Sequence, residues 1–193
     1  MRQVILLMGM GLDGVSARGW SPPIADEVAA SEVHEAMWEE LKSIDTFIFG
    51  RVNYELWKKV WPPLATSPSS SEFEKRFSRL TDSVRKLVIS TTLKSVDWPH
   101  SGDISLVTGD ISKEIGRVKE EPGKNLAIVG GPKIAQTFTK LGLIDEYHLY
   151  VHPTIVGEGT TLLGGLRSPR QLRLISARVF KAGVVGLRLK PAD

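Results

Sequence analysis

The feature that most restricts how this chain can fold is an alternation that persists from residue 4 to residue 151. Short apolar runs at residues 4–8, 46–49, 86–90, 104–108, 126–129 and 146–151 are bounded by glycine, proline or serine and have strand length. Between them lie residues spaced three or four apart: Val33, Met37, Leu41 and Ile44; Phe73, Phe77 and Leu80; Ile111, Ile115 and Val118; Ile134, Phe138 and Leu141. That spacing lines one face of a helix. Strands that alternate with helices become parallel neighbours, because each crossover needs a helix, and such a sheet is covered on both faces.

After Pro153 the rhythm changes. Residues 172–180 and 184–189 carry strand-like sequence with only Lys181-Ala182-Gly183 between them, which leaves no room for a helix and predicts an antiparallel C-terminal hairpin. The expected class is α/β, with a mostly parallel central sheet of about eight strands flanked by helices and a single domain over residues 1–193. Proline, glycine and serine mark residues 14–25 and 62–71 as loops.

Composition removes several function classes. The net charge is +3 with lysine and arginine scattered along the chain, so no basic stripe for nucleic acid is expected. The chain has no cysteine, which rules out disulfides, thiolate metal sites and cysteine nucleophiles, and suits a reducing cytoplasm. No stretch approaches the roughly 18 apolar residues of a membrane span.

Two glycine motifs carry the functional reading. Gly9-Met10-Gly11-Leu12-Asp13-Gly14 satisfies G-x-G-x-x-G after a strand, but Gly19, Pro22 and Pro23 follow too soon for the helix that a dinucleotide fingerprint requires. The segment reads as a loop, either a plain connection or a lid that holds Asp13 near a ligand. Gly130-Gly131-Pro132-Lys133-Ile134 is the better phosphate site: a strand ends in two glycines and proline opens an amphipathic helix, whose free N–H groups and positive dipole end can hold an anion. A plain strand-to-helix turn is the competing reading. Gly50-Arg51 follows another strand, and its guanidinium can grip phosphate through two bonds. Ser90-Thr91-Thr92 and Thr108-Gly109 follow two more. Ligands of open α/β sheets bind outside the carboxyl ends of the strands, so four such turns at one edge predict a single extended phosphate-bearing molecule such as a dinucleotide.

The succession of Leu12-Asp13-Gly14, Phe49-Gly50-Arg51, Tyr54-Glu55, Val129-Gly130-Gly131 and Pro153-Thr154-Ile155-Val156-Gly157-Glu158-Gly159 resembles dihydrofolate-reductase-like proteins over nearly the whole chain, and within them the reductase of riboflavin biosynthesis. The resemblance implies the three-layer fold of that superfamily and NADPH beside Gly50, Arg51, Ser90, Thr91, Thr92, Thr108, Gly109, Gly130, Gly131, Pro132, Lys133 and Ile134. It further implies a substrate end formed by Asp13, Tyr54, Gly157, Glu158 and Gly159, with Asp13 as candidate for substrate orientation or proton delivery. A homodimer is expected, because such assemblies are common in the family. One departure stands out: the carboxylate that true dihydrofolate reductases carry on their first helix falls near His34. The expected activity is NADPH-dependent hydride transfer to a ribosylaminopyrimidine or pterin-like ring, with a non-catalytic nucleotide-binding or sensing protein of the same fold as the alternative.

Other clusters carry less. His148 and His152 share a strand face, but no third ligand accompanies them, so packing outweighs a metal. Glu32, Glu35, Glu39 and Glu40 read as the solvated side of the first helix, and Trp38, Trp57 and Trp61 as packing residues.

Overall fold

In the computed structural model, which describes residues 1–16 and 27–192, the chain runs β1 (Val4–Gly11), β2 (Val15–Ser16), α1 (Glu27–Leu41), β3 (Ile44–Gly50), α2 (Arg51–Leu64), α3 (Glu72–Ser83), β4 (Arg85–Ile89) and β5 (Ile104–Val107). It continues through α4 (Ile111–Glu120), β6 (Asn125–Ile128), α5 (Pro132–Leu141), β7 (Glu146–His152), β8 (Thr160–Thr161), β9 (Leu172–Val179) and β10 (Val185–Pro191). Eight strands form one sheet in the order β5-β4-β3-β6-β1-β7-β10-β9, and β2 pairs with β8 as a separate two-stranded ribbon. Strands β5 through β7 are parallel, while β10 runs antiparallel to both β7 and β9. The alternation and the hairpin expected from the sequence are both present.

β1 explains why the sheet is covered twice. It sits between β6 and β7, and its VILLM run is buried at every position. Ile5 and Leu7 point into a core with α1, α2 and α3, whereas Val4, Leu6 and Met8 point into one with α4 and α5. That two-sided burial turns an apolar run into a central parallel strand.

The starts of α3 and α4 and the end of α5 read in their own residues. Ser71 caps α3 in a box with Glu74: the hydroxyl accepts from Glu74 N–H at 3.2 Å, and the Glu74 carboxylate accepts from Ser71 N–H at 2.7 Å. Asp110 caps α4 by accepting from Lys113 N–H at 3.1 Å. α5 ends on Gly142 at φ 69°, the left-handed conformation that glycine adopts without steric cost.

Two expectations change. α2 is a full helix that the apolar spacing list omitted, and it runs through Pro62 and Pro63 into what was expected to be loop. Both prolines fall in its last turn, where their missing N–H groups remove two bonds of the ladder, and the helix ends one residue after Pro63. Tyr54, Trp57 and Trp61 line its buried face. Trp57 meets Phe49 at 5.3 Å and Phe77 at 5.5 Å between ring centroids, so this tryptophan packs. The acidic side of α1 is also not uniformly solvated. Glu40 accepts from Tyr150 at 3.2 Å and lies 2.9 Å from His148 Nδ1, while Glu32 binds Arg178 at 2.9 Å and thereby ties α1 to the hairpin.

Candidate active site

Because β5, β4, β3, β6, β1 and β7 are parallel neighbours, their carboxyl ends form one row along a single edge. In order, the row carries Thr108-Gly109, Ser90-Thr91-Thr92, Gly50-Arg51, Gly130-Gly131, Gly11 and His152. Five strand spacings of about 4.8 Å make it about 24 Å long, the reach of an extended dinucleotide. Every turn that the sequence singled out lies on this edge.

The centre of the row is built from two glycine turns packed on each other. Gly50 precedes α2 and Gly131 precedes α5, and neither helix has a side chain capping its N-terminus. α3 and α4, in contrast, are capped by Ser71 and Asp110. A Cβ on Gly130 would come within 2.7 Å of the Asn53 amide and displace it, and Gly131 adopts φ 85°, which favours glycine. Ile134 packs against Gly50, 3.4 Å from the position a Cβ there would take. Arg51 is half-exposed at the start of α2 and makes a long 3.6 Å contact with Glu55, which leaves its fork available to a ligand. Lys133 is exposed in the first turn of α5.

Asn53 was not singled out by the sequence. It lies in the first turn of α2, is only 7% exposed, and its Nδ2 has no hydrogen-bond partner among the described residues. A buried unsatisfied amide is costly and rare. Here it stands between two uncapped helix starts.

Farther along the row, Ser90 is buried, and its hydroxyl accepts from the N–H groups of Leu93 at 3.1 Å and Thr92 at 3.2 Å, which fixes this turn locally. Thr91, Thr92, Thr108 and Gly109 are exposed. Asp110 occupies the start of α4 with its own carboxylate, so that helix end is already satisfied.

At the other end of the row the loop after β1 is clasped to the loop after β7. Gly157 N–H donates to Asp13 Oδ2 at 2.8 Å, Val15 N–H donates to Oδ1 at 3.3 Å, and Leu12 N–H donates to the Thr154 carbonyl at 2.8 Å. The Gly157 bond first, and then that of Val15, hold the Asp13 carboxyl below the usual carboxylate range. An ionised carboxylate can orient a group but cannot donate a proton at neutral pH. Gly11 is required by close approach, since a Cβ there would meet the Thr154 carbonyl at 2.7 Å, and Gly159 lies against Val15 in the same way. Glu158 is exposed at the tip of this turn. β1 runs straight through Gly9 to Gly11, while Gly19, Pro22 and Pro23 lie outside the described residues.

Tyr54 differs from expectation. It is 4% exposed, and its hydroxyl donates to the Asp97 carbonyl at 2.9 Å and accepts from Asp97 N–H at 3.1 Å, so it locks the loop before β5 and has no free group for a substrate. His148 is likewise engaged, with its ring nitrogens 2.9 Å from Glu40 and 2.8 Å from Glu146. His34 stacks on Phe73 at 4.4 Å.

The sheet order, the glycine turns and the clasp can be set against known proteins. The family profile of the RibD C-terminal domain matches residues 2–186. The chain belongs to the RibD C-terminal domain family. The uncharacterized protein YyaP of Bacillus subtilis (strain 168) is 32% identical over 145 residues, covering 75% of this chain and 73% of YyaP. Among solved structures, a diaminohydroxyphosphoribosylaminopyrimidine deaminase/5-amino-6-(5-phosphoribosylamino)uracil reductase of Thermotoga maritima superposes with TM-score 0.62 at 19% identity, over 99% of this chain and 57% of that one. A dihydrofolate reductase of Enterococcus faecalis complexed with NADP(H) gives TM-score 0.60 at 10% identity, over 99% and 97% of the two chains. This RibD C-terminal domain therefore has the dihydrofolate-reductase-like fold expected from its sequence. Among its described residues no helix is long and apolar enough to cross a membrane.

Proposed function

We propose that the protein is an NADPH-dependent reductase that delivers hydride to a small polar heterocycle, a ribosylaminopyrimidine or pterin-like ring. The observation that carries this reading is the pair of uncapped helix starts on adjacent strands with the unpartnered Asn53 amide between them. The first-turn N–H groups of α2, the Lys133 N–H of α5, where Pro132 has none and Ile134 N–H already donates to the Gly131 carbonyl, and a positive dipole end on each side make an anion cradle, and the absent side chains of Gly130 and Gly131 let a pyrophosphate reach the backbone. NADPH, when bound, supplies the hydride.

The chain's own residues do the rest. Arg51 pairs with phosphate from the rim, Lys133 adds a charge, and the hydroxyls of Thr91, Thr92 and Thr108 face the adenosine end of the row. Ile134 closes the gap between the two turns. Asp13 holds the Gly157 loop against the β1 loop and so fixes the wall of the substrate end, an orienting role rather than proton delivery. Hydride transfer needs alignment and the exclusion of water, and the clasp provides the fixed wall on which both depend. The lack of cysteine fits a cytoplasmic enzyme.

Titration of the protein with NADPH and NADH, followed through tryptophan fluorescence and thermal shift, tests the proposal, since a ligand that binds only the folded state raises its stability. Saturable NADPH binding is expected, weakened about 10- to 100-fold by Arg51→Ala with the melting temperature unchanged. Absence of NADPH binding would overturn it. Binding without turnover on ribosylaminopyrimidines or dihydropterins would move the assignment to a nucleotide-binding protein.

A further inference from the structure

The C-terminal hairpin has two faces of opposite character. β10 pairs with β9 through Leu189 opposite Leu174, Leu187 opposite Ala177 and Val185 opposite Val179, and side chains at such paired positions project to the same side of the sheet. Leu187 and Leu189 lie beside Leu149 and Tyr147 of β7, which places all six on the side covered by α4 and α5. The other side carries Arg173 opposite Lys190 and Arg178 opposite Gly186, with Arg188 between them on β10. There Arg178 binds Glu32 of α1, and Arg188 binds Glu146. Alternation therefore sorts the hairpin into a charged face against α1 and a face of six apolar side chains.

The apolar face is open at its outer strand. On this side α4 and α5 pack over the middle of the sheet through Ile115, Ala135 and Phe138. Leu174 is 53% and Val179 75% exposed, and Ala177 between them is exposed as well. Val185, Leu187 and Leu189 are partly exposed. Isolated surface leucines and valines are ordinary, but a contiguous uncharged patch along an eight-residue strand, about 26 Å, is not.

We infer that a second copy of this chain covers the face, the two β9–β10 hairpins packing apolar side to apolar side about a twofold axis. Nothing in this depends on the reductase reading, and the expected homodimer gains a named face and a mode of packing. Charge selects the occupant. The face holds no charged side chain, so an acidic or basic partner finds no ion pair on it, whereas a copy of itself meets it without like-charge repulsion, because the four basic residues point the other way. Geometry selects the mode. Pairing the free edge of β9 with that of a copy extends the sheet and leaves both apolar faces in water. Face-to-face packing buries both, at the roughly 10 Å between packed sheets, which is also the depth of the helix layer on this side. Two strands of this length supply the apolar centre of an interface of standard size, about 800 Å² per partner, with a polar rim around it.

Sedimentation velocity of the full chain at micromolar concentration tests this. The expected species is a dimer of twice 21.3 kDa that dissociates on dilution. The double variant Leu174→Glu, Val179→Glu places carboxylates from both copies in the symmetric interface and should weaken the dimer on the order of 100-fold. It should keep the circular dichroism of the parent, because both side chains are already exposed in the single chain. Arg173→Glu, on the opposite face, should leave dissociation within about twofold. Val179→Ser should weaken the dimer about tenfold and serves if the double variant fails to fold. An unsubstituted chain that sediments as a monomer, a dimer undiminished by the face substitutions, or a dimer weakened as much by Arg173→Glu would each overturn the inference. A monomer that co-sediments with phosphatidylcholine vesicles would overturn it too and give the face to a membrane.

Discussion

The two ends of the parallel strands are built on opposite plans. At the amino ends charged groups are paired within the protein. Arg2, with its side chain 5% exposed, binds Asp45 and Thr46 and donates to the Lys124 carbonyl, Lys119 binds Asp145 at 2.8 Å, and Arg85 binds Glu121 at 2.6 Å. At the carboxyl ends two helix starts are uncapped, and the buried side chains of Asn53 and His152 each hold an atom with no partner among the described residues. One edge satisfies itself and so stabilises the sheet. The other keeps donors and acceptors open, which costs stability in the free protein and leaves them for a ligand. The difference separates residues whose loss should unfold the protein from residues whose loss should only empty it.

Substitutions at the two edges should therefore have opposite signatures. The largest binding effect is expected for Gly130→Val, whose side chain would occupy the space of the Asn53 amide: NADPH affinity should fall on the order of 100-fold by calorimetric titration. Asp45→Ala at the amino edge leaves the buried Arg2 with only the longer 3.9 Å contact to Glu121. It should cost about 2–3 kcal/mol in urea unfolding while NADPH affinity stays within about twofold. Equal losses of binding at both edges would remove the distinction.

Asn53→Leu sharpens the comparison, because it removes an unsatisfied group rather than a made bond. The free protein should be as stable as the parent or more so, yet bind NADPH about tenfold less tightly. A destabilised variant with normal affinity would make Asn53 an ordinary core residue.

A further effect concerns pH. His152, pushed down by its burial and then by His34, titrates near 4 in the folded protein against 6.5 for the free side chain, so between those values the unfolded chain takes up a proton that the folded one refuses. Stability should fall as pH drops from 6.5 toward 4, by at most about 1.4 kcal/mol per pH unit from this group, and be insensitive to it above 6.5. In His152→Leu the slope over that window should flatten.

Much of this was legible in the sequence, and what was not has a physical cause. The strands, the hairpin and the row of turns follow from local patterns that a single segment carries, and glycines such as Gly130 and Gly131 announce backbone geometry by their identity alone. α2 was missed because Pro62 and Pro63 suggested a loop, although Tyr54, Trp57 and Trp61 already had helical spacing. Asn53 and His152 could not be singled out as unpartnered, since that state depends on which groups the fold brings near them. The sequence reads His148 and His152 as packing residues rather than a metal pair, and only the fold shows that Glu40 and Glu146 engage His148 and leave His152. Tyr54 failed for the same reason, its hydroxyl captured by Asp97 from a distant loop.

The central claim is that the helix starts behind Gly50 and Gly131 hold the cofactor's phosphates. It is tested most directly by following backbone amide resonances of 15N-labelled protein during titration with NADPH. The account predicts saturable shifts at residues 51–53, at Gly131 and at residues 133–135, with the first turn of α4, already capped by Asp110, much less affected. Binding that leaves residues 51–53, Gly131 and residues 133–135 unmoved, or that centres on the start of α4, would contradict it.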